Sequence, residues 1–244
     1  MKKYTVGLLL LFLFAISPLS VTAQMFSVED SSPNRVQPLG LYTTISAGWE
    51  IGDFNNRQSG INLNDDYSFN DNIYRIRLES PGIDVGLGFG GRLSGMDSNS
   101  YVNVVGRLHN NLNLYMNDDR SFILRAPIQI TTDLKRVQRN NIDSEFQQSS
   151  FIFGAGLMAD VRIAENIDFS VKGTPNYGFS FSQGNLFGGS LFRTDGRTHL
   201  LFRNLFGDKG LSVGYHFDFR RYDIDGDQND YDYTSHSFSI GLIF

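Results

Sequence analysis

The sequence predicts an all-β protein, an antiparallel up-and-down transmembrane β-barrel of about ten strands, with eight or twelve strands as alternatives. Three observations predict this fold. From Leu41 onward, stretches in which apolar and polar residues alternate are separated by polar turns. The connections between these stretches alternate between short and long. The final stretch, residues 235–244, is itself an apolar strand, which a closed barrel would pair with its first strand.

The amino-terminal residues predict a cleaved signal peptide. Lys2 and Lys3 precede a short apolar run at residues 7–16, and residues 21–23 (Val-Thr-Ala) fit a signal-peptidase site. A transmembrane anchor is the alternative, but a spanning helix needs roughly 20 apolar residues, which is more than this run supplies. The sequence therefore predicts a signal peptide at residues 1–23, a periplasmic tail at 24–40 and a barrel at 41–244.

The ten predicted strands share a period of two, with an apolar outward row and a polar inward row. They cover residues 41–52, 72–79, 83–93, 101–116, 122–135, 151–163, 167–181, 198–206, 211–222 and 235–244. The sixth and seventh show the clearest alternation, although Pro175 in the seventh predicts a bulge, since proline has no N–H for the ladder. The eighth is irregular, because Leu201 shares a face with His199 and Arg203.

The connections support the strand count independently. Those after even strands are short, at residues 80–82, 117–120, 164–166 and 207–210. Those after odd strands are mostly longer and polar, at residues 53–71, 94–100, 138–148, 183–197 and 223–230. Short periplasmic turns and long outer loops are the rule for outer-membrane barrels, and an even strand number places both termini on one side.

The last strand carries a specific resemblance. Phe238, Ile240, Leu242 and the final Phe244 alternate with small residues, and this ending resembles the terminal signal of bacterial outer-membrane β-barrels, although Gly241 lies closer to the end than is usual. The mature chain resembles the small Gram-negative outer-membrane barrels of the OmpA-like and porin-like superfamily. The resemblance implies a monomer in the outer membrane, with lipid and lipopolysaccharide as partners. It also implies that the barrel-assembly machinery recognises the last strand.

Composition narrows the function classes. A hydrophobic fraction of 41% and a mean hydropathy of -0.23 exclude a helical membrane protein, whereas a barrel hides its apolar face by alternation. A net charge of -5 argues against nucleic acid as a partner. With Cys 0, disulfides and thiolate metal sites are excluded, and no cofactor is expected.

A soluble β-sandwich or a lipocalin-like barrel is the rival fold. In either of these, the apolar rows would face a core and the charged rows would face water. Alternation alone does not separate the rivals, so the decisive question is which side of the sheet is apolar.

The predicted inward rows carry interspersed charges of both signs. Because a ten-stranded barrel is narrow, we expect them to pair into a hydrated plug; a narrow ion or small-solute channel lined by charge is the alternative. The charges are Glu50, Arg75, Arg77, Glu79, Asp84, Arg92, Arg107, Arg125, Asp133, Lys135, Asp160, Arg162, Asp168, Lys172, Arg203, Asp218 and Arg220.

Three functions follow, in this order: a structural or surface-interaction barrel, a small channel, and an outer-membrane enzyme acting on lipid or peptide. His216 and Asp218, two residues apart on one inward face, are the one enzyme candidate, and no catalytic activity is expected. A barrel of ten strands also resembles the outer-membrane proteases of the omptin type. The His-Asp pair of that family lies on the outer loops, whereas His216 is predicted in the middle of a strand.

An acidic loop offers a weak calcium candidate. Asp223, Asp225 and Asp227 alternate, as hard oxygen ligands often do. A turn rich in Asp, Asn and Gly also arises because these residues tolerate left-handed backbone, so no metal is predicted.

Overall fold

The computed structural model describes residues 39–57, 67–140, 145–182, 188–224 and 230–244, all within one compact unit. The predicted signal peptide and most of the predicted tail lie outside the described residues. Among the described residues, no helix is long and apolar enough to cross a membrane. The strand segments are β1 (Thr44–Asn56), β2 (Phe69–Ser80), β3 (Ile83–Gly90), β4 (Asn99–Met116), β5 (Phe122–Arg139), β6 (Glu145–Ala155), β7 (Leu157–Ala164), β8 (Ile167–Ser182), β9 (Gly189–Phe206), β10 (Lys209–Ile224) and β11 (Tyr231–Ile243).

These segments close into an antiparallel barrel. Apart from β6 and β7, each pairs with its neighbours in the sequence, and β1 pairs with β11 from Thr44↔Ile243 to Asn56↔Tyr231. β6 and β7 both lie between β5 and β8, so they are two halves of one barrel strand. The described residues therefore form a closed barrel of ten strands, which confirms the predicted fold class and count.

Two prolines explain the break between β6 and β7. The predicted bulge at Pro175 is wrong, because Pro175 pairs in regular register with Thr194 of β9. The interruption instead lies on the adjacent barrel strand, at Gly156 between β6 and β7. The N–H of Gly156 donates to the carbonyl of Pro127 over 3.0 Å. Neither proline has an N–H to give, so the ladder loses donors on both sides of Gly156.

The strands extend further toward the long connections than predicted. β4, β5 and β9 each contain 18 residues, whereas a tilted strand needs roughly 9–11 to cross a membrane. β9 starts at Gly189 rather than at residue 198, so most of a predicted loop is strand. The third strand, in contrast, ends at Gly90, and Arg92–Ser94 form a 3₁₀ turn.

The exterior of the barrel is apolar, which decides between the rival folds. Outward side chains such as Trp49 (51% exposed) and Phe238 (59%) are about half exposed, while many arginines and aspartates are buried inside. A water-soluble protein would show the opposite arrangement. The outward rows include Ile45, Trp49, Ile76, Leu78, Val85, Leu87, Val104, Leu108, Ile128, Phe153, Val171, Phe179, Val213, Phe238, Ile240 and Leu242.

The apolar surface ends before the strands do. Near the long connections, outward positions carry ion pairs, including Arg136–Glu145 at 2.5 Å and Arg221–Asp232 at 3.3 Å. The barrel therefore presents an apolar band and, beyond it, a polar rim.

Gly156→Ala should destabilise the barrel by overpacking. A Cβ at Gly156 would lie 2.0 Å from the carbonyl oxygen of Gly173, and we expect a loss of about 1–3 kcal/mol in unfolding free energy. Gly173→Ala is the matched control, since no described heavy atom lies within 4 Å of its added Cβ. Urea unfolding followed by the gel mobility of unboiled samples measures both, and equal losses would contradict the explanation.

Val171→Arg should cost roughly 2–4 kcal/mol if the exposed apolar band faces lipid tails. Asn55→Arg, at an exposed outward position near the polar rim, should cost far less. The measurement is the denaturant midpoint of each variant folded into lipid vesicles. Equal midpoints would argue against lipid contact at Val171.

Candidate functional site

The interior of the barrel holds the chemistry-bearing side chains. Alternation turns every second residue inward, so each strand contributes a column of polar or aromatic groups to the lumen. Near the long connections the inward side chains are mostly aromatic, and in the middle of the barrel they are mostly charged. Near the short turns, the segment that precedes β1 lies inside the barrel and is called the plug.

An aromatic cap fills the lumen nearest the long connections. Phe54 stacks on Tyr231 with ring centroids 4.4 Å apart, and Phe146 meets both edge-on. These rings occupy inward positions where the strands continue past the apolar band. The cap consists of Phe54, Tyr67, Phe69, Ile73, Met96, Tyr101, Val137, Phe146, Ile152, Leu191, Tyr222, Ile224, Tyr231 and Tyr233.

Lys135 lies beneath the cap, fully buried. Its Nζ is 3.2 Å from the ring centroid of Tyr233 and 5.3 Å from that of Phe54. No described residue accepts a hydrogen bond from this ammonium. The faces of the surrounding rings therefore provide its electrostatic stabilisation through cation–π contacts.

Below Lys135, arginines and carboxylates alternate around the lumen. Arg193 holds both oxygens of Asp218 at 2.9 and 2.8 Å. Arg220 bridges Asp218 at 2.8 Å and Asp133 at 2.6 Å. Such bidentate and bridging pairs satisfy several guanidinium donors at once, which is the geometry that makes a buried ion pair tolerable.

A second cluster lies around Asp84. Arg107 bridges Asp84 at 2.6 Å and Asp195 at 2.5 Å, thereby connecting β3 and β4 to β9 across the lumen. Arg197 reaches Asp84 at 2.6 Å and also binds Glu79. The side chains meet across the interior rather than along one strand.

The segment before β1 packs against inward residues near the short turns. The carbonyl of Leu39 accepts a hydrogen bond from Arg125 over 2.7 Å, and the Tyr42 hydroxyl donates to Asp168. Tyr42 packs in one cluster with Leu201 and Ile243, which explains why apolar Leu201 faces inward. Burial and then the hydrogen bond to Asp168 raise the pKa of the Tyr42 phenol. The sequence placed Leu39 in a periplasmic tail and did not indicate this plug.

The structure places the predicted inward charges inside the barrel, with one correction. Arg92, predicted to face the lumen, lies exposed on the 3₁₀ turn, because β3 ends two residues earlier. Arg162 pairs with Asp168 at 3.1 Å, and Lys172 donates to Gln129 over 2.9 Å. The others predicted inside are Glu50, Arg75, Arg77, Glu79, Asp84, Arg107, Arg125, Asp133, Lys135, Asp160, Asp168, Arg203, Asp218 and Arg220.

Sequence reasoning missed Arg193, Asp195 and Arg197, which lie on β9 in the middle of the network. It assigned them to a loop at residues 183–197. Their period-two spacing, continuing through His199, was the signal that could have found them.

The candidate enzyme pair does not assemble. The carboxylate of Asp218 is held by Arg193 and Arg220, whereas Nδ1 of His216 lies 3.3 Å from a guanidinium nitrogen of Arg77. In the described part of the chain, no group of three or more His, Asp or Glu residues is arranged to hold a metal ion. Asp223 lies near the end of β10, while residues 225 and 227 fall outside the described residues.

Comparison with solved structures gives likenesses to outer-membrane proteins at low sequence identity. No family model and no curated protein matches the chain. The translocator domain of the autotransporter NalP from Neisseria meningitidis is 12% identical, with a TM-score of 0.39, over 84% of this chain and 88% of that one. Outer-membrane expressed OmpT of Vibrio cholerae is 7% identical, with a TM-score of 0.26, over 83% and 97%. At these scores neither likeness says anything about the role of this chain.

The architecture is that of an outer-membrane β-barrel. The closed ten-stranded sheet and the apolar exterior carry this conclusion without the comparisons. The predicted resemblance is therefore confirmed at the level of fold.

Asp218→Ala should be strongly destabilising, because it leaves Arg193 and Arg220 with Asp133 as their one shared carboxylate, and we expect a loss of about 3–5 kcal/mol. Lys135→Met is the contrasting variant: its ammonium lacks a hydrogen bond in the described structure, so an apolar replacement should be neutral or stabilising. Denaturant midpoints of the folded barrels compare them. A larger loss for Lys135→Met would contradict the assignment of Asp218 as the central counterion.

Proposed function

We propose that the protein is an integral outer-membrane barrel whose filled lumen makes it a rigid scaffold, with a structural or surface-interaction role. The observation that carries the proposal is that protein side chains fill the lumen at three successive levels along the barrel axis. The aromatic cap, the arginine–carboxylate network and the Leu39–Tyr42 segment each occupy the lumen.

The extended strands support the surface-interaction role. β4, β5 and β9 carry the sheet well past the length that a membrane requires, and the cap gives that extension its own packed core. Aromatic pairs such as Phe54 and Tyr231 stabilise it through burial and ring contacts. The long connections thus emerge from a stiff support, which suits binding at the outer surface.

The proposed partners follow from the exterior. Lipid and lipopolysaccharide would cover the apolar band, and the polar rim with Arg136 and Arg221 would meet lipid headgroups. The outward row of β11, which ends at Phe244, would guide recognition by the barrel-assembly machinery before β1 pairs with it. Because β1 and β11 pair with each other, the sheet has no free edge strand at which a second chain could pair, which favours a monomer.

Planar-bilayer recording tests the scaffold against the channel. We expect no conductance steps from folded, heat-modifiable protein, in a membrane where a sixteen-stranded porin gives clear steps. Discrete, reproducible steps from this protein would overturn the closed-lumen proposal in favour of a narrow channel.

Single-cysteine labelling supplies a second readout, because the natural chain has Cys 0. Ser237→Cys faces the lumen below the cap and should not react with a water-soluble maleimide until the barrel is unfolded. Asn55→Cys, exposed at the polar rim, should react in the folded state. Rapid labelling at both positions would show that the lumen is open to solutes.

A further inference from the structure

A small polar pocket lies against one wall of the lumen. On this wall, two successive inward positions of β1 (Ser46 and Gly48) and two of the adjacent β11 (Ser237 and Ser239) carry only serine or glycine. Because these side chains are small, the wall is recessed. Charged and imidazole side chains face the recess from β2, β9 and β10. The lining residues are Ser46, Gly48, Arg75, Arg77, Glu79, His199, His216, Ser237 and Ser239, and we name this the serine–arginine pocket.

The pocket is very small. The space open to a water-sized sphere is about 10 Å³. That is about the lower limit of the room that one water molecule needs, so the pocket holds at most one small ligand. Polyatomic anions and organic solutes are therefore too large for it.

The tautomer of His216 follows from its neighbour. Arg77 can only donate, so the 3.3 Å contact between its guanidinium and Nδ1 of His216 makes Nδ1 an acceptor. The hydrogen of the neutral ring is then on Nε2. Nε2 has no hydrogen-bond partner among the described residues, although His216 is only 4% exposed.

Two guanidinium groups add further free donors. Nη1 of Arg75 and Nε of Arg77 are also buried without a hydrogen-bond partner in the described part of the chain. Leaving a buried donor without an acceptor is destabilising, and more so when the donor is charged. Three such donors on side chains that line one pocket indicate an acceptor that fills it.

The carboxylates nearby are already engaged. Glu79 lines the pocket, but it binds Arg197 and lies 3.7 Å from both Arg77 and His199. Glu50 holds Arg75 at 2.6 Å and accepts from the Tyr233 hydroxyl. Asp84 lies 3.8 Å from Nε of Arg77, beyond hydrogen-bond distance, and is itself held by Arg107 and Arg197. None of the three carboxylates therefore accepts a hydrogen bond from the free donors.

The charge balance of the interior favours an anion over water. Among the described residues that are buried, nine are Lys or Arg and seven are Asp or Glu. The whole chain has the opposite sign, with a net charge of -5. Because uncompensated buried charge is costly, a bound anion would stabilise this locally cationic lumen.

We propose that the serine–arginine pocket binds a single halide-sized anion, held by donors from Arg75, Arg77 and Nε2 of His216. The serine hydroxyls of the recessed wall complete its surroundings. The anion is a buried structural ligand that neutralises part of the cationic excess of the lumen.

Thermal unfolding of the detergent-folded protein tests the site, with chloride replacing gluconate at constant ionic strength. A ligand that binds only the native state raises the midpoint in a saturable way, and we expect this for chloride and bromide. Ser239→Val fills the pocket and should abolish the dependence. Ser212→Val is the control, since Ser212 is also buried on an inward face but does not line the pocket, and it should keep the dependence.

Crystals grown in bromide provide a measurement that needs no variant. We expect an anomalous peak within hydrogen-bond distance of Nε2 of His216. A midpoint that is insensitive to halide, a halide effect that persists in Ser239→Val, or an ordered water in place of the peak would each overturn the proposal.

Discussion

Pairing between arginines and carboxylates inside the lumen is the interaction on which the rest of this structure depends. Removing an ion from water costs several kcal/mol even in real proteins, and this barrel buries many of them. The cost is tolerable only where each guanidinium meets carboxylates in good geometry. Arg107, which joins Asp84 to Asp195, and Arg220, which joins Asp133 to Asp218, are such bridges.

These bridges also explain how a narrow cylinder holds its shape. A sheet alone fixes neighbouring strands, whereas Arg107 binds Asp195, which lies 88 positions further along the sequence. Long side chains fill the lumen on one side, and serine and glycine on β1 and β11 make room for them on the other. The serine–arginine pocket is the space left where this complementarity is incomplete.

Different interactions fill the two ends of the lumen. Toward the long connections, inward aromatic residues bury one another and enclose Lys135 without any carboxylate in hydrogen-bond contact with it in the described structure. Toward the short turns, a few residues of the preceding segment are fixed by Arg125 and Asp168. Gly40 suits this position, because its φ of 79° and its closeness to Arg125 leave no room for a side chain.

The sequence by itself determined the class of fold, the number of barrel strands and the parity of most inward charges. A period of two is a local property, and once Glu50 faces inward, every second residue of that strand does too. It did not determine where the strands end, since polar residues at strand ends resemble loops. For this reason Arg193, Asp195 and Arg197 were missed, and Arg92 was placed inside.

Only the tertiary structure decided which residues meet across the lumen, and it confirmed that the outer side of the sheet is the apolar one. Closing the sheet brings together columns from strands far apart in the chain, and no local pattern encodes those distances. The tautomer of His216, the cage around Lys135 and the insertion of Tyr42 all depend on partners from other strands. Alternation reads the same from either face, so the curvature of the closed sheet is what places the charges at the axis.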